Sequence, residues 1–299
     1  MLRRWRLMLA PLLLLLLPLL ALAEEKQKTE DPAKVFREVK WIKGPAKADI
    51  GKIAQINLPK GYIFAGPDDT RRLLEAMQNL TNGSELGLFA PEDFSYFVVF
   101  EFDESGYVKD DEKDKLDTNA ILQQIKDGTE EANKERKNRG WSTMSVVGWD
   151  VPPSYNKETN NLEWAVRFAS GEGNVVNFNT RYLGREGVMR ITLVVGPDEL
   201  KQILPRFRTD MAGFSYTAGH RYFEYVEGDK VAKYGLTALI VGGAAAAAAK
   251  TGLFKYLGKI IMVAGLAIIA FVKSLVEKVR NLFSRKKDDY RPPPPPGQE

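Results

Sequence analysis

The densest group of candidate ligands in the sequence is an acidic segment between residues 103 and 114. Oxygen ligands in such number suit calcium. The spacing of an EF-hand loop is not met, however, because counting from Asp103 puts Tyr107 at the fifth position and no glycine at the sixth. The segment is therefore predicted to be a turn and a solvated approach to a helix, whose N-terminal dipole favours carboxylates. No metal site is predicted from its members: Asp103, Glu104, Asp110, Asp111, Glu112 and Asp114.

Part of this segment is a candidate for partner recognition, because an aromatic ring stands there beside charges of both signs. We call this part the recognition loop, and it consists of Tyr107, Lys109, Asp110, Asp111 and Glu112. The hypothesis predicts that neutralising the loop carboxylates disturbs the binding of a partner.

Composition excludes several kinds of chemistry. The chain of 299 residues has no cysteine and a single histidine, His220, which excludes disulfides, thiolate nucleophiles and histidine-rich metal sites. No nucleophile elbow, phosphate-binding loop or zinc-protease motif occurs in the sequence. A pair of carboxylates acting as acid and base stays open, because residues 24–233 hold 35 acidic side chains. No catalytic residue and no cofactor is predicted.

The elements that would position these residues are short strands with a few helices between them. Strands are predicted at residues 50–58 and 62–64, and the strongest at 94–102, which is aromatic and β-branched. A helix is predicted from Asp117 or Thr118 to about residue 138. Clustered strands argue for an α+β fold with a largely antiparallel sheet. The remaining predictions are helical spacing after residue 67, strands at 142–149, 162–169, 175–182 and 187–195, a hairpin at 183–186, and a helix at 200–211 interrupted at Pro205.

The N-terminus resembles a secretory signal peptide. Arg3, Arg4 and Arg6 precede a leucine-rich run, and Ala21 and Ala23 place small residues before Glu24. Residues 1–23 are therefore predicted to be cleaved, the alternative being an uncleaved N-terminal anchor. Residues 24–49 are predicted to form a stem or docking segment with a short helix.

The C-terminus carries a membrane signal. Residues 236–249 and 260–272 are uncharged, and seven Lys/Arg follow Val272, three of them between residues 285 and 287. The positive-inside rule puts this basic tail, residues 273–299, in the cytoplasm. We predict a membrane segment at 234–272 with one main span at 253–272, and a helical hairpin of both runs remains the alternative.

The distribution of charge argues against one class of partner. Residues 24–233 carry 30 Lys/Arg against 35 Asp/Glu, so the net charge of +4 comes from the two ends of the chain. An acidic domain is a poor match for a phosphate backbone, which argues against nucleic acid. The predicted partners are membrane lipid and an envelope protein or other envelope component.

Several motifs resemble a bacterial family of predicted membrane-anchored proteins, domain of unknown function 2167, from about residue 50 to the end of the membrane segment. They include residues 106–113, 128–133 and 147–153, followed by 183–185, 219–222 and 228–236. The resemblance implies a signal peptide, an exported domain and a C-terminal anchor, and it implies no established activity.

These observations predict an exported α+β domain at residues 50–233, held on the outer side of the bacterial inner membrane. A non-enzymatic binding module is the first functional hypothesis. The alternatives are a carboxylate-based hydrolase acting on an envelope glycan, and a small-ligand sensor that acts through a partner. A pocket lined by two close carboxylates would favour the hydrolase, whereas an exposed apolar patch would favour the binding module.

Overall fold

The computed structural model describes residues 30–241 except Glu112, Lys115, Glu158 and Glu172. Eleven strands form two sheets in this part of the chain, and every described pairing between neighbouring strands is antiparallel. The prediction of an α+β fold with a large antiparallel sheet is confirmed. The strands are β1 Ile42–Lys43, β2 Ala46–Ile50, β3 Ala54–Leu58, β4 Tyr62–Ala65, β5 Glu85–Pro91, β6 Phe97–Asp103, β7 Met144–Asn156, β8 Asn161–Ser170, β9 Gly173–Leu183, β10 Val188–Val195 and β11 Phe214–Tyr216.

Between residues 30 and 241, five α-helices accompany the sheets, besides a single 3₁₀ turn at Tyr222–Glu224. The large sheet has the strand order β1-β4-β5-β6-β10-β9-β8-β7, and the small one has the order β11-β3-β2. One face of the large sheet shares a core with four of the helices, and the other shares a core with the small sheet and the remaining helix. The helices are α1 Pro32–Glu38, α2 Pro67–Ala76, α3 Thr118–Asn138, α4 Leu200–Met211 and α5 Leu236–Val241, and α4 is the one that lies beside the small sheet.

Strand β6 lies in the middle of the large sheet and contributes to both cores. Phe97 and Val99 belong to the core on the helical face, whereas Val98 and Phe100 belong to the core on the opposite face. Burial on both faces explains why residues 97–100 are all apolar instead of alternating with polar residues.

Helix α3 begins where the sequence indicates. The Asp117 carboxylate accepts hydrogen bonds from the N–H groups of Asn119 at 3.1 Å and Ala120 at 3.0 Å, which caps the helix. Ile121 and Ala132 are both buried, and Ile121 belongs to the core on the helical face of the large sheet. The helix therefore directs these apolar positions inward.

Two predicted elements differ from the structure. The strand expected at residues 50–58 is shorter in the structure. Ile50 ends β2, the chain reverses at Gly51, which adopts a positive φ of 60°, and β3 begins at Ala54. Helix α4 continues through Pro205 instead of being interrupted there. Both Pro205 and Lys201, whose carbonyl loses a helical hydrogen bond to the proline, lie at the solvent-exposed surface, where water can satisfy that carbonyl.

The folded domain extends beyond residues 50–233 at both ends. Before residue 50, α1 packs on α2, β1 pairs with β4, and β2 pairs with β3. After residue 233, the six residues of α5 bury Leu236 and Leu239 in the core on the helical face. These six residues open the predicted membrane segment, and they contact α3.

The predicted signal peptide, main span and basic tail lie outside the described residues. Within residues 30–241, no helix combines the length and the apolar character needed to cross a lipid bilayer.

Candidate functional site

The recognition loop leaves the end of β6 and runs beside the chain that precedes α5. Tyr107 forms a parallel bridge with Val231. Its N–H donates to the Lys230 carbonyl at 2.8 Å, and its carbonyl accepts from the Ala232 N–H at 2.9 Å. Gly106 has a φ of 97°, and a Cβ there would lie 2.5 Å from the Lys230 carbonyl oxygen. Only glycine fits this close approach of two backbones.

Three tyrosine rings pack at this junction, and we call Tyr107, Tyr222 and Tyr225 the tyrosine stack. Tyr107 is stacked on Tyr222 and tilted against Tyr225. The Tyr107 ring centroid lies 4.5 Å from that of Tyr222 and 4.2 Å from that of Tyr225. The Tyr222 hydroxyl donates to the Val108 carbonyl at 3.0 Å, and burial raises the pKa of Tyr222. Tyr107, the aromatic member of the recognition loop, thus packs against other residues of the domain.

The charged members of the recognition loop have different surroundings. Lys109 and Asp111 are exposed, whereas Asp110 accepts a hydrogen bond from Lys113 at 2.9 Å. That hydrogen bond raises the pKa of Lys113. Glu112 lies outside the described residues. Lys109 and Asp111 are therefore open to solvent, whereas Asp110 is bound within its own segment.

The end of the β9–β10 hairpin holds the same stretch of chain through a bidentate ion pair. The Arg185 guanidinium donates to the two carboxylate oxygens of Asp229 at 2.7 and 2.9 Å. The Asp229 carboxylate also accepts from the Val226 N–H at 2.9 Å. The hydrogen bond from Arg185 and that from Val226 lower the pKa of Asp229 to about 2. The pair keeps residues 226–229 fixed on the hairpin.

His220 also binds the hairpin. Its Nδ1 lies 2.6 Å from a Glu186 carboxylate oxygen, and its carbonyl accepts from the Arg185 N–H at 2.9 Å. Gly184 forms an antiparallel bridge with Arg221 next to it. The only histidine of the chain thus joins the hairpin to the residues that lead into the tyrosine stack.

A turn next to the tyrosine stack projects apolar side chains into solvent. The Glu224 carboxylate accepts from the N–H groups of Gly219 and Arg221, each at 2.8 Å, which fixes the turn. The exposed fraction is 79% for Phe223, 51% for Val226 and 38% for Val231. We call Phe223, Val226 and Val231 the apolar patch. Sequence analysis did not select it, although its position just before the apolar C-terminal run was a visible signal.

These contacts gather separated motifs at one end of the large sheet. Residues 106–111, 183–185, 219–222 and 228–235 lie far apart in sequence and touch one another here. Tyr234 extends the junction, because its hydroxyl donates to the Asp103 carboxylate at 2.8 Å.

These motifs carried the family resemblance, and the sequence profile of a family described as protein of unknown function (DUF2167) matches residues 42–273. The chain belongs to the DUF2167 family. No curated protein matches it.

Solved structures show weak likenesses to the DUF2167 chain. The solution structure of cyanobacterial PsbP (CyanoP) from Synechocystis sp. PCC 6803 is 9% identical, with a TM-score of 0.36, over 57% of this chain and 91% of that one. The Ran-binding protein Mog1p of Saccharomyces cerevisiae is 11% identical, with a TM-score of 0.31, over 60% of this chain and 98% of that one. Scores this low carry no functional argument.

The DUF2167 chain also has a buried charged row that sequence analysis missed. Glu85 on β5 pairs with Glu101 on β6, which pairs with Arg190 on β10, which pairs with Arg181 on β9. Burial raises the pKa of Glu101 and lowers that of Arg181 to about 9. The Arg181 side chain donates to the Leu239 carbonyl of α5 at 3.3 Å. The row therefore lies inside the domain and helps to hold α5.

A second polar cluster lies in the core beside α4. The Asp210 carboxylate accepts from the hydroxyls of Tyr62 at 3.0 Å and Tyr96 at 2.5 Å. Arg206, which lies at the surface, donates a hydrogen bond of 2.6 Å to the Tyr62 hydroxyl. Burial raises the pKa of both tyrosines and of Asp210. Its members are up to 148 residues apart, so local sequence gave no signal for it.

Neither cluster forms an open acid–base site. Glu85 and Glu101 are neighbours on adjacent strands, but both side chains are completely buried in the sheet. A shallow depression of about 350 Å³ between α3 and the start of β7 has Glu130 as its one carboxylate. Among the described residues, no group of three or more carboxylate or histidine side chains could hold a metal ion.

Proposed function

We propose that this DUF2167 chain is a binding module of the bacterial cell envelope, anchored in the inner membrane by its C-terminal segment and without catalytic activity of its own. One observation carries the proposal. The exposed charges of the recognition loop and the exposed apolar patch occupy the same end of the large sheet, on a frame fixed by the tyrosine stack and the Arg185–Asp229 pair.

The way in which the charged side chains at this end of the sheet are bound favours a binding function over catalysis. Asp229, Asp110 and Glu224 bind backbone N–H groups or cationic side chains of the same junction, and so support its backbone. Lys109 and Asp111 are exposed instead. Exposed apolar side chains grouped beside such charges are typical of interaction surfaces.

The hydrolase alternative requires two carboxylates that face a substrate cavity about 5–9 Å apart. The carboxylates of Glu85 and Glu101, which lie on paired strands, are enclosed by the sheet and its helices. Glu130 stands alone in the depression beside β7. The geometry therefore supports the binding module better than the hydrolase.

Location at the membrane is supported by the sequence at both ends. Three arginines and a leucine-rich run precede Glu24, and the apolar residues 260–272 precede a cluster of lysine and arginine. A membrane-held domain presents its binding surface within reach of envelope components, which agrees with a function in recognition.

Site-specific crosslinking in intact membranes tests the proposal. The chain has no cysteine, so a photoreactive benzophenone can be attached to a single cysteine introduced as Lys109→Cys or Asp111→Cys. We expect a discrete crosslinked species of defined mass from both positions. The expected species disappears when the membranes are solubilised and diluted before irradiation.

Asp198→Cys provides the matched control. Strand β10 begins at Val188, at the end of the sheet where the recognition loop lies. Asp198 is an exposed carboxylate three residues past the opposite end of this strand. We expect no discrete species from this position. The same species from residue 198, or none from residues 109 and 111, would overturn the assignment of the binding surface.

A further inference from the structure

Hydrogen bonds and an ion pair fix the backbone that carries the apolar patch. Phe223 lies within the 3₁₀ turn Tyr222–Glu224, which the Glu224 carboxylate fixes, and Val226 is held through its N–H by Asp229, which Arg185 binds in turn. Three of the five large apolar side chains exposed in the described part of the chain fall within these nine residues, 223–231. Water contact of such side chains is unfavourable, so a rigid group of them indicates a surface that is covered by something apolar.

The side chains around the patch are those of a membrane interface. Arg221, Lys230 and Lys233 are exposed, and the Arg221 guanidinium lies 5.9 Å from the centre of the Phe223 ring. The tyrosine stack includes Tyr222 and Tyr225, the chain neighbours of Phe223 and Val226. Basic side chains that combine apolar stems with charged heads, and tyrosines with one apolar and one polar end, are enriched where protein meets lipid headgroups. Glu227 is the exposed acidic residue within the same stretch.

The position of the patch in the chain identifies its occupant. Val231 stands five residues before α5, and the apolar residues of the predicted membrane segment continue from there. The twelve residues from Val241 to Leu253 span at most roughly 40 Å when fully extended. The domain is thus confined close to the bilayer into which that segment is proposed to insert, and lipid is the apolar surface always within reach.

From these observations we infer that the apolar patch inserts into the lipid interface of the membrane that anchors the chain, with Arg221, Lys230 and Lys233 at the level of anionic headgroups. This inference rests on the proposed membrane anchor and adds the orientation of the domain. It places the recognition loop beside the bilayer, with the opposite end of the sheet pointing away from it.

Fluorescence depth measurements on the full chain test the inference. An environment-sensitive dye is attached to single cysteines introduced as Phe223→Cys, Val226→Cys or Val231→Cys, and the protein is reconstituted in vesicles of phosphatidylethanolamine and phosphatidylglycerol. We expect aqueous iodide to quench these dyes at least about five-fold less than a fully exposed dye. We also expect nitroxides on the lipid chains to quench them strongly.

Val147→Cys is the control, because Val147 is a large apolar side chain with 56% exposure on β7. Tyr155, further along the same strand, lies near the recognition loop, and its pKa is raised by its own burial and by Asp110 of that loop. Val147 is eight residues, or about 25 Å of strand, away from Tyr155. We expect its dye to be quenched by iodide and unaffected by lipid nitroxides. Unchanged thermal unfolding of each labelled variant shows that the fold is retained.

The outcomes separate the anchor from the orientation. If the chain floats with the vesicles but the dye at residue 223 is as accessible as the dye at 147, the inference is wrong and the anchor stands. Protection from iodide without lipid quenching would mean that a protein or a second copy covers the patch, which also overturns the inference. A chain that does not float with vesicles contradicts the proposed anchor itself.

A double variant gives an independent readout. Phe223→Ser with Val226→Ser removes most of the patch and leaves the C-terminal segment intact. We expect the chain to stay on the vesicles while a dye at residue 231 becomes accessible to iodide. A dye at residue 231 that stays protected in this variant would contradict insertion of the patch.

Discussion

Arg185 and Asp229 are 44 residues apart in sequence and joined by two hydrogen bonds of 2.7 and 2.9 Å. Arg185 belongs to the tip of the β9–β10 hairpin, and Asp229 belongs to the chain that carries the apolar patch. Bidentate pairing of a guanidinium with a carboxylate fixes orientation as well as distance. This pair therefore decides which way the apolar patch faces relative to the sheet.

Replacing Asp229 is expected to lower stability in a pH-dependent way. Because Arg185 lowers the pKa of Asp229 from 3.8 to about 2, the folded state binds this proton more weakly than the unfolded state does. The pair thus contributes its stability above pH 3.8 and loses it as the pH falls toward 2. Asp229→Asn is expected to unfold a few degrees lower than the wild type at pH 6, with a smaller difference at pH 2.5. Thermal unfolding followed by circular dichroism measures this, with Asp198→Asn as a control of equal charge change. An equal difference at both pH values would contradict the role of the ionised pair.

Gly106→Ala is expected to separate the recognition loop from the chain before α5. The substitution meets two costs, a positive φ of 97° and a Cβ 2.5 Å from the Lys230 carbonyl oxygen. Gly83→Ala is the matched control, since Gly83 has a φ of 89° and nothing within 4 Å of its Cβ position. We expect a loss of about 1 kcal/mol in the free energy of unfolding for the control and about 2–4 kcal/mol for Gly106→Ala. Urea denaturation measures both, and equal losses would mean that the close approach costs nothing.

Asp210→Ala is expected to destabilise the core beside α4 by about 2–3 kcal/mol, because it leaves the buried hydroxyls of Tyr62 and Tyr96 without their shared acceptor. Asp210→Asn keeps an acceptor oxygen and should cost less. The comparison is made by urea denaturation at pH 7. Losses of equal size from both variants would mean that an acceptor oxygen at this position does not account for the stability.

The same residue predicts a pH dependence of the opposite sign to that of Asp229. Burial raises the pKa of Asp210 above 3.8, so the folded state binds this proton more tightly than the unfolded state. Its contribution is fully present below pH 3.8 and declines as the pH rises through the folded pKa. As the pH rises from 3.8 through the folded pKa, we expect the unfolding free energy of the wild type to fall relative to that of Asp210→Asn. A difference that does not change with pH would contradict the raised pKa.

Membrane topology is tested on the full chain by a reporter that is active only outside the cytoplasm. Fused after Lys287, it is expected to be inactive, because the positive-inside rule keeps the basic tail in the cytoplasm. Fused after Glu24, it is expected to be active. Activity from the fusion after Lys287 would contradict the single span, and extraction of the chain from vesicles by alkaline carbonate would contradict the anchor.

The sequence by itself determined the local elements whose signals are local. Strands were predicted where the structure has β8, β9 and β10, and Asp117 marked the start of α3 because its cap acts on N–H groups two and three residues away. Six motifs, among them residues 183–185 and 228–236, indicated the family, and the absence of cysteine excluded disulfides and thiolate nucleophiles.

Tertiary structure alone decided what those motifs do together. The Arg185–Asp229 pair, the Tyr107–Tyr222 contact and the cluster around Asp210 join residues whose separation in sequence leaves no local pattern. Exposure is decided in the same way: Phe223 and Phe207 are the same residue type, yet one is 79% exposed and the other 1%. Whether a side chain meets water depends on which distant elements pack over it, and that is fixed only when the whole chain has folded.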